Sequence, residues 1–135
     1  ISYQNIAKCY LGQKEYQLAQ SVLDTARKIL PGLNSAALDA ELSLIEARIL
    51  RAMGDFTWAG SVLESAYRKA VANSLAALQA DILVEQGMLS KDIGHVDVAI
   101  AKLNAAARQY RQLGMDKGFQ STIQTIEQLQ RGRHN

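Results

Sequence analysis

The stretch GDFTWAGSVLESAYRKA, residues 54–70, decides the fold because its pattern occurs three times in the chain. Phe56 stands midway along the sequence between Tyr16 and Val96, and three further sets of residues keep the same offset of forty positions. These sets are Ala19, Ala59 and Ala99, then Leu23, Leu63 and Leu103, then Ala26, Ala66 and Ala106. A fixed period of this length indicates a repeat array, in which each unit buries its apolar face against its neighbours.

The composition predicts closely packed helices. Hydrophobic residues make up 48% of the 135 residues but aromatic residues only 6%, so most of the apolar content is Ala, Leu, Ile and Val. Ala and Leu are among the best helix formers. One proline and nine glycines suit a few sharp corners better than many β-turns. The net charge of +2 is too small to indicate a nucleic acid or a membrane surface as a direct partner.

Apolar spacing and corner residues together predict the helices and their pairing. The expected helices span residues 1–12, 15–30, 35–53, 56–72, 75–92 and 96–113, with a capping helix at about 117–131 and a frayed tail at 132–135. Pro31-Gly32 is expected to end the second helix, since proline removes a backbone donor. The units then fall at about 1–33, 34–73 and 74–113. The predicted fold is an all-α solenoid of three helix pairs plus the C-terminal capping helix.

The repeated residues resemble those of the tetratricopeptide repeat family. The first unit matches through Tyr3, Ile6-Ala7, Tyr10, Tyr16, Ala19, Leu23, Ala26 and Pro31, the second through Ala47, Leu50, Gly54-Asp55-Phe56, Ala59, Leu63 and Ala66, and the third through Gly87, Gly94, Val96, Ala99, Leu103 and Ala106. The period of 40 exceeds the family's 34, Val96 replaces an aromatic residue, and the later units lack the closing proline. HEAT-type repeats share the period but match less well, because no first helix here contains a proline.

The resemblance implies a right-handed superhelix whose first helices line a concave groove. Units this long are similar to those of bacterial signal-transduction ATPase regulators of the maltose-activator kind, as is the segment ARQYRQLGMDKGFQ at 107–120. The groove residues carried over from the family pattern are Gln4, Asn5, Lys8, Glu41, Leu44, Arg48, Arg51, Asp81, Glu85, Met88 and Lys91. Lys8, Arg48 and Arg51 would form a basic cluster able to hold a carboxylate, and Leu44 and Met88 would add apolar contacts.

The sequence predicts no enzyme, no cofactor and no metal site. Cys9 aligns with apolar residues of the later units and is expected to be a small buried hydrophobe. His95 is expected to cap a helix, and His134 belongs to the tail. One cysteine, no signal-peptide pattern and no long apolar run together favour a cytoplasmic protein without a membrane span. Because Ile1 already lies in a helical pattern, we expect the chain to be a piece of a longer protein.

Two functions remain open at this point. The first is a scaffold that binds a protein or peptide in its groove. The alternative is a ligand-sensing segment of a multidomain transcriptional regulator or signal-transduction ATPase. Trp58 aligns with Leu18 and Val98, and this shared apolar character predicts packing between units. If Trp58 is instead exposed on the convex face, it becomes the main candidate for self-association.

Overall fold

Six α-helices make up residues 15–33 and 35–133, the part of the chain that the computed structural model describes. The helices are α1 (Tyr16–Leu33), α2 (Ala36–Ala52), α3 (Phe56–Ala72), α4 (Ala76–Ile93), α5 (Val96–Gln112) and α6 (Asp116–Arg133). These described ranges contain no strand, which confirms the all-α prediction. The predicted first helix at 1–12, with Cys9, and His134 lie outside the described residues.

Each helix packs against the next one along the chain, from α1 on α2 to α5 on α6. In addition α2 contacts α4 directly, and this contact is more extensive than any between α3 and α5. The stack therefore has an inner layer, formed by α2, α4 and α6, and an outer layer, formed by α1, α3 and α5. The direct contact between α2 and α4 places these two helices side by side in the inner layer. This arrangement is a helical-repeat solenoid.

The repeated apolar residues of the outer layer form the core. Ala19, Ala59 and Ala99 are each 0% exposed, so a larger side chain at these positions would have to displace packed neighbours. The other two predicted sets are also buried: Leu23, Leu63 and Leu103, and Ala26, Ala66 and Ala106. The residues that begin each pattern, Tyr16, Phe56 and Val96, are all partly buried. The equivalent positions thus occupy like environments in all three units.

The corners between helices are built alike. A residue with positive φ stands at each of Gly54 (85°), Ser74 (55°), Gly94 (98°) and Gly114 (70°), so the corners are evenly spaced along the chain. After each of them a backbone N–H donates to a carbonyl five residues earlier: Asp55 to Leu50, Leu75 to Ala70, His95 to Ser90 and Met115 to Tyr110, at 2.8–2.9 Å. This backbone pattern satisfies the last carbonyls of each helix. Each helix with its corner therefore takes up half of the sequence period, and two of them make one unit.

Helix starts are capped unevenly. Ser35 Oγ accepts from the Leu38 N–H at 3.1 Å, and Asp55 Oδ1 accepts from the Trp58 N–H at 3.3 Å. His95 has the N-cap position of α5, as predicted, but its side chain makes no capping hydrogen bond. The prediction that the His95 side chain caps α5 is therefore wrong, and the start of α5 is stabilised by packing instead.

Two helices end later in the sequence than predicted. Helix α1 continues through Pro31-Gly32 to Leu33, and α6 continues to Arg133, so residues 132–133 are helical rather than a tail. A proline near the end of a helix forfeits one backbone hydrogen bond, which the remaining turn tolerates. Helix length in this chain follows the spacing of the corners, and α1, α4 and α6 all have 18 residues.

Helix α6 has one buried face and one exposed polar face. Thr122 and Ile126 are buried against the preceding helix, whereas Gln120, Gln124 and Glu127 are exposed. The expectation that this helix caps the array stays a prediction.

Candidate partner-binding face of the inner layer

The structure brings together the predicted groove residues that it describes. Glu41, Leu44, Arg48 and Arg51 lie on α2, and Asp81, Glu85, Met88 and Lys91 lie on α4, the two inner helices in direct contact. Gln4, Asn5 and Lys8 lie outside the described residues. We call the partly exposed surface of α2 and α4 the inner face.

Leu44 does not belong to the surface of this face. It is 5% exposed and packs in a core cluster with Ala47, Leu63 and Ile82. The expectation that Leu44 offers an apolar contact to a partner is therefore wrong. Helix α2 packs against α1, α3 and α4, so most of its circumference faces other helices and only a narrow polar stripe is left to solvent.

The predicted basic cluster is neutralised by acids of the next unit. Arg48 Nε lies 2.8 Å from Glu85 Oε1, and Arg51 Nε lies 3.5 Å from Glu85 Oε2. Arg51 Nη1 also lies 2.9 Å from Asp92 Oδ2. The Glu85 side chain is only 8% exposed, so the network joins α2 to α4 around a nearly buried carboxylate. We call Arg48, Arg51, Glu85 and Asp92 the inner ion-pair network.

Hydrogen-bond donors remain on the inner face beside this network. Arg48 engages Glu85 through Nε, and its side chain keeps 33% of its surface exposed, so among the described residues its terminal nitrogens remain as donors. Lys91 is partly exposed and has no ion-pair partner among the described residues. Met88, at the position equivalent to Arg48, is also partly exposed and provides an adaptable apolar contact. Two cations and one thioether side chain are thus available on neighbouring helices.

Asp81 is tied to the outer layer. The Tyr110 hydroxyl of α5 donates a hydrogen bond to the Asp81 carboxylate. Tyr110 is 6% exposed, and burial raises its pKa above the ordinary tyrosine range, an effect to which the hydrogen bond with Asp81 adds. Its ring lies against Gly118, where a Cβ would come within 2.9 Å of Tyr110 Cδ1. The predicted groove residue Asp81 therefore also holds α4 to α5.

A second ion pair joins α1 to α2. Arg27 Nη2 lies 3.3 Å from Glu46 Oε2 and donates to Ser43 Oγ at 3.3 Å. Burial raises the pKa of Glu46; Arg27 opposes this shift, while Asp24 and Asp39 reinforce it. Asp39 in turn pairs with Lys69 of α3. Ion pairs thus join neighbouring helices at several contacts of the stack.

Trp58 lies in the outer layer with 54% of its surface exposed. The prediction that it packs between units is wrong. The equivalent Leu18 and Val98 are exposed to 49% and 47%, so the position is apolar and solvated in all three units. The sequence did contain evidence for this exposure. Each of the three residues directly precedes a fully buried alanine, and one step along an α-helix turns the side chain by about 100°, away from the core.

Neither a metal centre nor a membrane span is present in the described ranges. No three His, Cys, Asp or Glu side chains there converge as metal ligands. None of the helices at 15–33 and 35–133 combines the length and the apolar character that crossing a bilayer requires.

Comparison with known proteins adds no relative. No family model, no curated protein and no solved structure matches this chain.

Proposed function

We propose that the chain is a tetratricopeptide-like scaffold that binds an extended protein segment or peptide along its inner face. The observation that carries the proposal is a set of donors with no partner in the part of the chain that the structure describes. They are the terminal nitrogens of Arg48 and the ammonium of Lys91, on two touching helices, with Met88 nearby. A ligand that carries a carboxylate next to an apolar side chain matches this set. The recurring two-helix units and the direct contact between α2 and α4 support the assignment to tetratricopeptide-like units.

The inner ion-pair network gives the proposal a mechanism. It fixes α2 against α4 before any ligand arrives, so the binding face needs little reorganisation. A preorganised face lowers the ordering cost of association, and the flexible ligand then carries most of that cost. Arg48 serves both purposes, because one nitrogen holds Glu85 while the others remain for a partner.

Selection from a random peptide library, followed by titration of the selected peptides, tests the proposal. We expect peptides with an acidic group beside an apolar residue, bound with micromolar affinity. Lys91→Glu reverses one charge of the face without breaking an ion pair and is expected to weaken binding about ten-fold or more. Met88→Ala is expected to weaken it less, since it removes only an apolar contact.

Arg68→Glu is the matched control. Arg68 is an exposed cation of the outer layer with no ion-pair partner among the described residues, so its reversal changes net charge by the same amount on the other side of the stack. The affinity is expected to stay within about two-fold, allowing for a small general electrostatic effect. Equal losses for Lys91→Glu and Arg68→Glu, or no selected peptide at all, would refute inner-face binding.

A second candidate, a ligand-sensing segment of a larger cytoplasmic regulator, is favoured by the placement of the inner ion-pair network. A ligand carboxylate that displaces Glu85 from Arg48 would loosen the contact between α2 and α4 and so change the curvature. Small-angle scattering with and without saturating peptide separates the two functions. An unchanged radius of gyration supports the preformed scaffold, whereas a change supports the sensor.

A further inference from the structure

Most exposed large apolar side chains gather at one end of the stack. Of the eight in the described residues, five lie where outer helices begin and inner helices end: Leu18, Met53, Trp58, Ile93 and Val98, exposed to 46–54%. The other three, Val71, Leu113 and Met115, lie at the opposite end. We call the first five residues the apolar edge.

A hollow opens at one end of this edge. Its volume is about 420 Å³, and it is lined by Glu15, Tyr16, Gln17, Leu18 and Met53. At the equivalent positions of the next unit, Trp58 replaces Leu18 and Ile93 replaces Met53. The apolar edge thus has an exposed indole, that of Trp58, in one unit. In the preceding unit it has the hollow, beside the smaller side chain of Leu18.

We propose that the apolar edge binds a second copy of this chain, with Trp58 of each copy inserted into the hollow beside Leu18 and Met53 of the other. The contact is isologous: Trp58 meets Leu18 of the second copy, and Leu18 meets Trp58 of that copy. Such a contact closes on itself and gives a dimer rather than a filament. It uses one end of the stack and not the side of α2 and α4 that forms the inner face, so that face stays open for its ligand.

The chemistry of the hollow suits an indole. A buried indole N–H needs an acceptor, because it can only donate. The lining supplies a carboxylate from Glu15 and an amide oxygen from Gln17, while Tyr16, Leu18 and Met53 supply apolar contacts for the ring. A thioether against an aromatic ring adds a favourable contact of its own.

The area fits a weak, reversible dimer. Half of a large side chain exposes roughly 80–100 Å², so Leu18, Met53 and Trp58, the three residues that the two-fold contact brings together, provide roughly 240–300 Å² of apolar surface per copy. A standard interface buries about 800 Å² per partner, of which roughly 450 Å² is apolar. Thr57 and Ser61, uncharged and exposed beside Trp58, provide polar surface for the rim.

The first experiment follows the oligomeric state of the full 135-residue chain by sedimentation velocity between about 1 µM and about 1 mM. We expect a monomer–dimer transition. Trp58 is the only tryptophan, so its emission should shift to shorter wavelengths over the same concentration range. Trp58→Ala should remain a monomer throughout. Val71→Ala, which removes an equally exposed side chain at the other end of α3, should dimerise like the wild type.

The second experiment tests reciprocal insertion. Leu18→Trp places an indole at the edge of the hollow of its own chain and should prevent dimerisation while Trp58 remains intact. Mixing Trp58→Ala with Leu18→Trp restores one of the two insertions, because the first variant keeps an open hollow and the second keeps Trp58. Native mass spectrometry should then detect the heterodimer, which differs in mass from both homodimers, at concentrations where each variant alone is monomeric.

Three results would overturn the proposal. A wild-type chain that stays monomeric up to about 1 mM would show that the hollow takes no second copy. A Trp58→Ala protein that dimerises normally would exclude the indole. Absence of the heterodimer in the mixture would exclude reciprocal insertion, even if the wild type dimerises through another surface.

Discussion

Arg48 Nε of α2 lies 2.8 Å from Glu85 Oε1 of α4, yet the two side chains differ in exposure, 33% for the arginine and 8% for the glutamate. The unequal burial means that the two halves of the pair are not equivalent for stability. A partly exposed guanidinium that loses its partner can be hydrated, whereas a buried carboxylate that loses its partners cannot. The pair therefore stabilises the contact between units mainly by compensating Glu85.

Replacing Glu85 should cost less than replacing its partners. Glu85→Ile installs the residue that Ile45 provides at the equivalent position of the preceding unit, and we expect a loss below about 2 kcal/mol in the free energy of unfolding. The double variant Arg48→Met with Arg51→Met leaves the buried carboxylate unpaired and should cost about 3–5 kcal/mol. Urea unfolding of both proteins measures the difference. Equal losses would mean that burial of Glu85 does not dominate the network.

The close approach of α4 and α5 depends on Gly87. A Cβ at this position would lie 2.9 Å from Leu103 Cγ and 3.2 Å from the Ala99 carbonyl oxygen. Gly87→Ala should therefore destabilise the protein by about 1–3 kcal/mol through overpacking, although alanine is the better helix former. Thermal unfolding followed by circular dichroism measures the change.

Gly60→Ala is the control for that substitution. The nearest atom to a Cβ at position 60 is Leu89 Cδ2 at 3.6 Å, an ordinary contact, so only the gain in helix propensity remains. We expect stabilisation of up to about 1 kcal/mol. If both alanine variants shift the midpoint in the same direction, packing against Leu103 is not what the glycine at 87 provides.

Ser74 has a left-handed backbone, with φ of 55°, where the other three positive-φ corners of the described residues have glycine. A side chain in this conformation costs roughly 1–2 kcal/mol, so Ser74→Gly should raise stability by about 1 kcal/mol after the entropy of the unfolded glycine is counted. The reverse change, Gly54→Ser, should lower it by a similar amount. Position 54 has no atom within 4 Å of a Cβ, so the effect there is purely one of backbone conformation.

The pH dependence of stability should reveal Glu46. Because burial raises its pKa, the folded state holds the proton to a higher pH than the unfolded state does. The contribution of this group is therefore complete below the unfolded pKa of about 4.3 and is lost as pH rises through the folded pKa. Glu46→Gln, which places the residue found at equivalent position 86, cannot undergo this loss.

Denaturant unfolding as a function of pH makes the comparison. At about pH 4 the two proteins should differ little, and at about pH 7 to 8 Glu46→Gln should be the more stable. A variant that is less stable at neutral pH would mean that the ion pair with Arg27, at 3.3 Å, outweighs the burial of the carboxylate.

The period of the sequence was sufficient to predict the core. Ala59, Leu63 and Ala66 are buried as expected, because a helix packed on both neighbours turns a 3.6-residue spacing directly into burial. Boundaries were less predictable. Pro31 predicted that α1 ends near residue 30, whereas the structure ends it at Leu33. The spacing of the corners, and not the helix-breaking proline, sets the length of this helix.

The candidate site was harder to predict, because its chemistry depends on contacts between units. Arg48 and Glu85 are 37 residues apart, and only the contact of α2 with α4 makes them a pair. The exposure of Trp58 was hard to predict for a different reason. Its apolar character recurs at Leu18 and Val98, and recurrence shows a shared environment without saying whether that environment is the core or the solvent.

The even spacing of the four left-handed corner residues limits how this molecule can change in length. One residue added within a helix would rotate everything after it by about 100° and turn core positions towards water. Duplication of a single helix with its corner would keep that phase but exchange inner helices for outer ones. Only whole two-helix modules, such as a second copy of residues 54–93, preserve both, so this protein can lengthen only in fixed increments that add inner-layer and outer-layer surface together.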